Sequence, residues 1–495
     1  MTPPSAVPAA GTTAPDGATA DPRRWRALAV LLLVQFMIIL DVSVVNIALP
    51  TIQSDLGFSR SGLTWVVDGY VLVAGSLLLL GGRLGDVLGR RRMFLVGVVV
   101  FGIASLACGL AQDPGTLVAS RIAQGVGEAL AAPAAFGLIA LMFTDVRERA
   151  KAIGLFGGIS GLAGTSGPIV SGALVEYSTW RWIFFINLPV VLLALVLVPR
   201  LVRRDLDRRE AGPRRLDLPG AALVTVGLFG IVYGVIEAAA KPWGSAHVLV
   251  PMLGGLALVA LFVVSQTRVR DPLLPLRFLR ERTRVGANLT TLLFSSVFFS
   301  QFFVTTLYLQ DVLEFGPLRT GLGFLPFGIA VGAALGLATS LIPRLGVRPV
   351  LVSGLLLSAV GALLFTRITA DGSYLTQVLP ASVVLALGSG LCLPALGNGA
   401  VHRVTDDDAG LASGLQQALQ QIGGAVGLAV LITLALRETA DAVVAGTSPA
   451  AAATDGYVLA LQVGTVVLLV AAAVAALVVG KEAGRDAPAR PVPVA

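Results

Sequence analysis

The chain alternates long apolar segments with short polar ones. A helix of about 20 residues spans the hydrocarbon core of a bilayer, and fourteen of the apolar segments approach or exceed that length. We therefore predict fourteen transmembrane helices. In chain order they cover 27–49, 63–82, 93–111, 117–142, 152–176, 182–201, 218–238, 248–266, 285–310, 320–341, 349–367, 376–399, 411–436 and 457–479.

The two ends of the chain depart from this pattern. Residues 1–25 are rich in Pro, Ala, Thr and Gly and cannot bury a core, so we predict a disordered cytoplasmic tail there. Residues 481–495 are predicted to form a second cytoplasmic tail. The first tail lacks a basic start, a short apolar stretch and a small-residue cleavage site, so we predict no cleaved signal peptide.

The basic residues predict how the helices are oriented. Arg121 alone of the 36 Lys and Arg residues lies deep within a predicted helix. With the N-terminus in the cytoplasm, 29 of the others fall on the cytoplasmic side and six in outer loops. This bias follows the positive-inside rule, and an even number of helices then places both termini in the cytoplasm. The six outer residues are Arg60, Arg181, Lys241, Arg319, Arg367 and Arg437.

Composition excludes several classes of function. The chain is 55% hydrophobic and 13% charged, too apolar for a soluble domain. Its net charge of +7 lies in short clusters between apolar segments, so we expect no nucleic-acid partner. Two cysteines and two histidines offer no disulfide framework or metal centre. No nucleotide-binding loop is present, so the sequence does not support direct drive by ATP. We also expect neither an enzyme nor a cofactor.

A faint internal repeat divides the chain. The entry to predicted helix 3, residues 89–97, resembles the entry to predicted helix 11, residues 346–354, and the entries to helices 5 and 13 resemble each other at nearly the same offset. Parallel halves of this kind are known in transporters. We predict an N-terminal six-helix bundle, a linker with two inserted transmembrane helices, and a C-terminal six-helix bundle, at 26–204, 205–284 and 285–480.

The loop after predicted helix 2 has the sequence GRLGDVLGRRR, residues 82–92. Asp86 and Arg90 are four residues apart and can pair if the segment is helical. The glycines allow two helices to approach closely. The alternative is a solvated basic turn placed only by the positive-inside rule.

Helices 4 and 5 carry two further motifs. Helix 4 contains RIAQGVG, residues 121–127, and a charged arginine at that depth needs a polar interior and a partner. Helix 5 has many glycines and Pro168, which weaken a helix unless close packing or bending compensates. The alternatives are a purely structural ion pair in helix 4 and ordinary close packing in helix 5.

Together with LDVSVVNIALP at 40–50, WRWIFFINLP at 180–189 and DPLLPL at 271–276, these motifs resemble the major facilitator superfamily, in its fourteen-helix drug:proton antiporter branch. The resemblance covers about residues 25–480. Val87 stands where an arginine is more usual, and Ser171 where a glycine is common.

The resemblance implies an all-α membrane fold of two six-helix bundles plus two inserted helices. It implies a proton-coupling role for Arg121 and two further functional motifs. The conformational latch would consist of Gly82, Asp86, Gly89, Arg90 and Arg91, and the antiporter motif of Gly164, Gly167, Pro168 and Gly172.

Four charged residues lie at compatible depths in the first four helices. Asp68 and Arg121 lie roughly 7 Å below the outer ends of helices 2 and 4, and Asp41 roughly 12 Å below that of helix 1. Glu128 is two turns beyond Arg121 on nearly the same face. A buried carboxylate is costly unless it is paired, protonated or hydrated. We therefore predict that Asp41 and Glu128 respond to protons or cations and that Asp68 forms a tuning pair with Arg121. The alternative is that these residues only tie helices together.

The C-terminal half lacks equivalent charges. It offers amides and a Phe-rich helix 9, which we interpret as an adaptable substrate wall, although packing or lipid contact explains the phenylalanines equally well. With the amide of helix 4 added, the candidate substrate-binding residues are Gln124, Gln301, Asn398, Gln417 and Gln421.

These patterns predict a proton-coupled antiporter that exports lipophilic drugs or antibiotics across the bacterial cytoplasmic membrane by alternating access. Its partners would be small lipophilic substrates, protons and membrane lipid, and we expect a monomer. A dedicated exporter of one endogenous metabolite or lipid is the first alternative. A membrane sensor or scaffold without transport activity is the second, although it would not need buried charge.

Overall fold

The computed structural model describes residues 23–143, 145–202, 216–275, 280–404 and 409–480, and these residues form helices without a β-sheet. Each of the fourteen predicted segments corresponds to a long helix. In chain order these are α1 Arg24–Leu56, α2 Arg60–Leu88, α3 Arg90–Leu110, α4 Pro114–Met142, α5 Val146–Tyr177, α6 Trp182–Leu201, α7 Leu218–Glu237, α8 Ala246–Ser265, α9 Arg282–Val312, α10 Pro317–Leu345, α11 Val347–Phe365, α12 Tyr374–Ala400, α13 Ala409–Val444 and α14 Pro449–Val478.

Thirteen of these helices are long and apolar enough, over the described residues, to cross a membrane. The remaining helix, α5, has 32 residues and is about 48 Å long at the usual rise per residue, which also suffices. The helix α13 extends past the predicted end at 436 through a segment rich in charged and polar residues. The helix α14 begins before the predicted start at 457, with an alanine-rich segment from Pro449. The predicted boundary at 204/205 and nearly all of both tails lie outside the described residues.

Specific residues begin and end the helices. Asp113 caps α4 by accepting hydrogen bonds from the backbone and side chain of Thr116 at 2.9 and 2.6 Å, which hold the pKa of its carboxyl below the usual value. Gly89 separates α2 from α3 with φ +99°, and Gly346 separates α10 from α11 with φ +90°. The two glycines matched by the sequence repeat thus have the same left-handed type of conformation, which favours glycine.

The helices pack in the same way in the two halves. In the first half α3 packs on α4, α2 on α4, α1 on α5 and α6, and α3 on α6. In the second half α11 packs on α12, α10 on α12, α9 on α13 and α14, and α11 on α14. The bundles meet along two seams, α2 with α13 and α5 with α10. The architecture is therefore two six-helix bundles with matching neighbours.

The bundles are in close contact on one side. We call the side on which the odd-numbered helices begin the terminal face, and the other side the distal face. Towards the distal face, a Cβ on Gly172 of α5 would lie 2.6 Å from the carbonyl oxygen of Pro317 in α10. The side chain of Gln310 in α9 donates to the carbonyl of Ile47 in α1 at 3.0 Å. These contacts close the distal side between the bundles.

The inserted helices α7 and α8 pack on each other, and α7 lies against both α2 and α13. The rings of Trp65 in α2 and Phe229 in α7 stack with centroids 5.8 Å apart. On the other side of α7, Thr433 of α13 donates to the carbonyl of Val235 at 3.0 Å, and Arg437 donates to the carbonyl of Ala238 at 2.8 Å. The pair therefore bridges the α2–α13 seam.

The segment after α8 fixes the inserted pair to α2 near the terminal face. Arg83 of α2 donates to the carbonyl of Pro272 at 3.3 Å. Gln266 accepts a hydrogen bond from the backbone of Leu274 at 3.0 Å and donates to Asp217 at 2.6 Å. Residues of the DPLLPL motif thus form a structural clamp between α7, α8 and α2.

Candidate functional site

An ion pair lies inside the N-terminal bundle. Arg121 Nη1 of α4 is 2.5 Å from Asp41 Oδ2 of α1, and the two side chains are 1% and 0% exposed. Arg121 also donates to the carbonyl of Val66 in α2 at 2.9 Å, and its guanidinium lies 4.2 Å from the centre of the Tyr70 ring. Such extensive pairing is what a buried guanidinium requires.

Neutral polar residues complete the coordination of this pair. Gln124 accepts from Arg121 at 2.7 Å and donates to Asp41 at 3.2 Å. Asn187 of α6 donates to the second carboxylate oxygen of Asp41 at 2.7 Å, and Ser105 of α3 accepts from Gln124 at 2.8 Å. The network links α1, α3, α4 and α6, so Gln124, predicted as a substrate contact, lies within the bundle and orients the ion pair.

Asn187 and Ser105 did not emerge from the sequence as functional residues. Asn187 lies in the WRWIFFINLP motif, which gave a family resemblance but no role. An isolated amide or hydroxyl in an apolar helix carries little signal by itself. The nearness of Asn187 to Asp41 follows only from how α6 packs on α1.

The predicted pairing of Asp68 with Arg121 is wrong. Asp68 is fully buried, and neither of its carboxylate oxygens has a hydrogen-bond partner among the described residues. It is two residues from both Val66 and Tyr70, so it projects from the opposite face of α2. It shares a face with Gly75, where a Cβ would lie 2.7 Å from Cβ of Gln421 in α13. Asp68 therefore faces the seam between the bundles.

Glu128 makes a contact between the bundles. Gln421 of α13 donates to Glu128 Oε1 at 3.2 Å, whereas Glu128 Oε2 is buried without a hydrogen-bond partner among the described residues. Glu128 is 4% exposed and lies on the face of α4 that also carries Arg121. A buried, titratable carboxylate is thus held by the opposite bundle.

The predicted latch residues lie together at the terminal face. Arg90 pairs with Asp86 at 2.9 Å and donates to the carbonyl of Gly137 in α4 at 2.9 Å. Arg91 donates to the carbonyl of Pro199 in α6 at 2.9 Å, and Gly89 forms the bend between α2 and α3. Gly82 faces α4, since a Cβ on this glycine would lie 3.7 Å from Cβ of Pro133.

The glycine motif of α5 is in contact with two other helices. A Cβ on Gly167 would overlap Ser43 Oγ of α1, and a Cβ on Gly321 of α10 would overlap the carbonyl oxygen of Pro168. Gly172 contacts Pro317 as described above. By contrast, Gly164 has no described atom within 4 Å of its Cβ position. Three of the four motif residues are therefore packing sites, two of them at the α5–α10 seam.

The predicted amides of the C-terminal half do not form one cluster. Gln301 is 5% exposed and donates to Thr305 of its own helix at 3.0 Å. Asn398 is exposed and donates to the carbonyl of Pro394 in its own helix at 2.8 Å. Only Gln421, with Gln417 one turn earlier on the same half-buried face of α13, lies at the seam.

The phenylalanines of α9 do form a cluster with α10. Phe302 stacks on Phe324 with centroids 5.3 Å apart and meets Phe327 edge-on at 5.0 Å. Phe298 contacts Phe294, Phe302 and Phe327 at 5.5, 5.3 and 6.3 Å. Several of these rings are only partly buried, so they offer an apolar aromatic surface.

The arrangement combines two facing helical bundles, a charged network inside one of them, and a titratable group on the contact between them. Within the described residues no cluster of His, Cys, Asp and Glu has the geometry of a metal site. These are the features of a multi-pass membrane transport protein that moves its two halves relative to each other.

Comparison with known proteins gives the family. Residues 31–428 match the family model of the Major Facilitator Superfamily, and the chain belongs to that superfamily. It is 44% identical over 467 residues to the Puromycin resistance protein pur8 of Streptomyces alboniger, covering 92% of this chain and 91% of that protein. It is 40% identical over 431 residues to the Lincomycin resistance protein of Streptomyces lincolnensis, covering 86% and 87%.

A third relative is the Cephamycin export protein CmcT of Amycolatopsis lactamdurans, 36% identical over 410 residues, with 82% of this chain and 84% of that protein covered. Among solved structures, an auto-inhibited peptide transporter of the POT family matches with a TM-score of 0.67 at 14% identity, covering 90% of this chain and 97% of the other. A bacterial homologue of the lysosomal transporter Spinster matches with a TM-score of 0.64 at 16% identity, covering 94% and 99%.

These comparisons confirm the predicted family, the all-helical fold and the location as a multi-pass protein of the bacterial membrane. The structural matches establish the fold alone at such low identity. The three relatives are named for antibiotic resistance or antibiotic export, and these names indicate efflux.

Proposed function

We propose that this chain is a proton-coupled antiporter that exports lipophilic drugs or antibiotics by alternating access across the cytoplasmic membrane. The observation that carries the proposal is the hydrogen bond between Glu128 of the N-terminal bundle and Gln421 of the C-terminal bundle. A carboxylate at this contact can make its charge state depend on whether the bundles are together. Two relatives at 44% and 40% identity are named for antibiotic resistance.

In this proposal the N-terminal bundle carries the coupling machinery. Asp41 and Glu128 exchange protons, and Arg121 is the charged partner of Asp41. Asp68, which lies buried and unpaired at the α2–α13 seam, is a third protonation site. Since an unpaired carboxylate in an apolar interior is costly, Asp68 is protonated when the seam is closed and ionises when the seam opens to water.

The remaining predicted residues serve the conformational change and the substrate. Asp86 and Arg90 stabilise one state at the terminal face, which is the cytoplasmic face in this proposal, and Gly167 and Gly172 allow close packing at the distal face. Substrate lies between the aromatic cluster of α9 and α10 and the amides Gln417 and Gln421. The transporter acts as a monomer and carries out no covalent reaction.

A transport assay tests the function. Purified protein in proteoliposomes is supplied with puromycin or lincomycin, with and without an imposed pH gradient. We expect gradient-driven uptake in vesicles whose cytoplasmic face points outward. Flux of these probes that does not respond to the gradient contradicts antiport.

Labelling of single cysteines in intact cells tests the orientation. One cysteine replaces Arg268 at the terminal face and the other replaces Ser178 at the distal face. We expect only the cysteine at position 178 to react with a membrane-impermeant maleimide.

A second candidate is a dedicated exporter of one endogenous antibiotic. The observation that favours it is the 36% identity to a protein named for cephamycin export. Competition between chemically different antibiotics in the same assay separates the candidates. A broad exporter is inhibited by several of them, and a dedicated exporter by one class.

A further inference from the structure

Tyr70 lies between the two charged groups of the N-terminal bundle. It is fully buried on the face of α2 that packs on α4. The two helices are very close here, because a Cβ on Gly125 would lie 2.5 Å from the carbonyl oxygen of Tyr70. Arg121 and Glu128 are seven residues apart on the facing side of α4, which corresponds to about 10 Å along the axis. The side chain of Tyr70 occupies the space between them.

The two ends of the Tyr70 side chain have different neighbours. The ring lies against Arg121, with 4.2 Å from its centre to the guanidinium carbon. The hydroxyl lies close enough to Glu128 to interact with it, and it also lies in the electrostatic field of Asp41. Neither the hydroxyl nor Glu128 Oε2 has a hydrogen bond of normal geometry to any described residue. Two buried groups that can satisfy each other thus lie side by side, which is rare for structural residues.

We propose that Tyr70 is a positioning residue that couples Glu128 to the Asp41–Arg121 ion pair. A phenol can donate to an ionised carboxylate and accept from a protonated one. The Tyr70 hydroxyl therefore changes role when Glu128 gains or loses a proton, while no proton is transferred to Tyr70. Because the same ring packs on Arg121, the change at Glu128 alters the position of the ring against the guanidinium.

The groups around Tyr70 fit this role. The charged or titratable side chains that face it are Arg121 and Glu128 from α4 and Asp41 from α1. From α13, the neutral amide of Gln421 reaches Glu128. Asp68 lies on the opposite face of α2. Separation of the bundles removes Gln421 from Glu128 and leaves the Tyr70 hydroxyl as the nearest replacement donor, so the inference links opening of the seam to the ion pair.

The inference rests on the proposed proton coupling, and Tyr70→Phe tests it separately. This substitution keeps the ring against Arg121 and removes only the hydroxyl. In proteoliposomes with puromycin we expect counterflow within twofold of the wild type, because exchange needs no net proton movement. We expect uptake driven by a pH gradient to fall at least tenfold. Equal loss in both assays would indicate a structural role, and no loss in either would show that the hydroxyl is dispensable. Either result overturns the inference.

A second measurement needs no transported substrate. Infrared difference spectra of the detergent-solubilised protein detect protonated carboxyl groups as the pH is changed, and Glu128→Gln identifies the Glu128 band. We expect Tyr70→Phe to displace the titration midpoint of that band, and an unchanged midpoint contradicts the inference. If the wild-type protein shows no gradient-driven uptake but the midpoint is displaced, proton antiport fails and the link between Tyr70 and Glu128 stands.

Discussion

Arg121 Nη1 lies 2.5 Å from Asp41 Oδ2, and both side chains are almost completely inaccessible to solvent. Neither charge can be removed alone without leaving the other buried and unpaired. Three neutral partners of the pair, Gln124, Asn187 and the carbonyl of Val66, come from three different helices. The ion pair is therefore held in place by the arrangement of the whole bundle.

We expect Asp41→Asn to abolish gradient-driven transport and to destabilise the protein. The amide keeps the shape of the carboxyl group but leaves Arg121 uncompensated, at a cost of roughly 3–5 kcal/mol. Thermal unfolding in detergent and uptake under a pH gradient measure the two effects. The double variant Asp41→Asn/Arg121→Gln is the control, since it removes both charges. It should recover much of the stability and none of the coupling; recovered coupling would contradict the assigned role.

Substitutions at Glu128 and Gln421 should distinguish the response to protons from the contact between the bundles. Glu128→Gln removes the titratable group, so we expect loss of gradient-driven uptake with counterflow retained. Gln421→Ala removes the hydrogen bond, worth about 1 kcal/mol, and one of the proposed substrate amides. It should weaken the closed contact at the seam and lower counterflow, while the proton response remains. Counterflow and gradient-driven uptake, measured on both variants, test this. Identical effects of the two substitutions would argue against a distinct proton role for Glu128.

The glycine motif of α5 offers a matched pair of substitutions. Gly167→Ala places a Cβ where it overlaps Ser43 Oγ, whereas Gly164→Ala meets no described atom within 4 Å. Overpacking of this kind costs roughly 1–3 kcal/mol, so Gly167→Ala should lower thermal stability and transport and Gly164→Ala should leave both near wild type. Adding Ser43→Gly to Gly167→Ala should restore activity. Failure of that rescue would mean that Gly167 acts by some means other than close packing.

Cross-linking can establish which bundle carries the inserted pair. The helix α7 is joined to α13 by directional hydrogen bonds from Thr433 and Arg437, and the Trp65–Phe229 contact with α2 is a stack of rings, which can slide. We expect a disulfide between cysteines at Val235 and Thr433 to leave transport intact, and a bifunctional cross-link between cysteines at Trp65 and Phe229 to block it. The native Cys108 and Cys392 are buried, which limits their reaction. The reverse pattern would place α7 with α2.

The sequence alone predicts the number of helices and shows that Arg121 needs a partner. Both follow from the length and the charge of single segments. The sequence alone does not identify that partner. Counting residues from the helix ends gives depth, and both Asp41 and Asp68 lie at suitable depths. The direction in which each side chain points depends on how α1 and α2 are rotated against α4. That rotation is fixed by packing, such as the close approach of Gly125 to Tyr70.

The same limit explains the amides. Gln421 and Gln301 have the same chemistry and both lie within apolar helices. The first faces the opposite bundle, and the second hydrogen-bonds to its own helix. Only the pairing of α2 with α13 makes one of them a contact between the halves. A residue's role at a seam is a property of two segments that are far apart in the chain.

The position of α7 across α2 and α13 also makes the molecule unequal in the plane of the bilayer. The helices of the two bundles have matching neighbours, so the two seams between the bundles form equivalent grooves on opposite flanks of the molecule. On the α2–α13 flank, lipid meets the largely exposed surface of α8 instead of the groove itself. On the α5–α10 flank, the junction is formed by the two bundles alone within the described residues. A solute diffusing in the membrane therefore finds a shielded flank and a bare one, according to the direction of its approach.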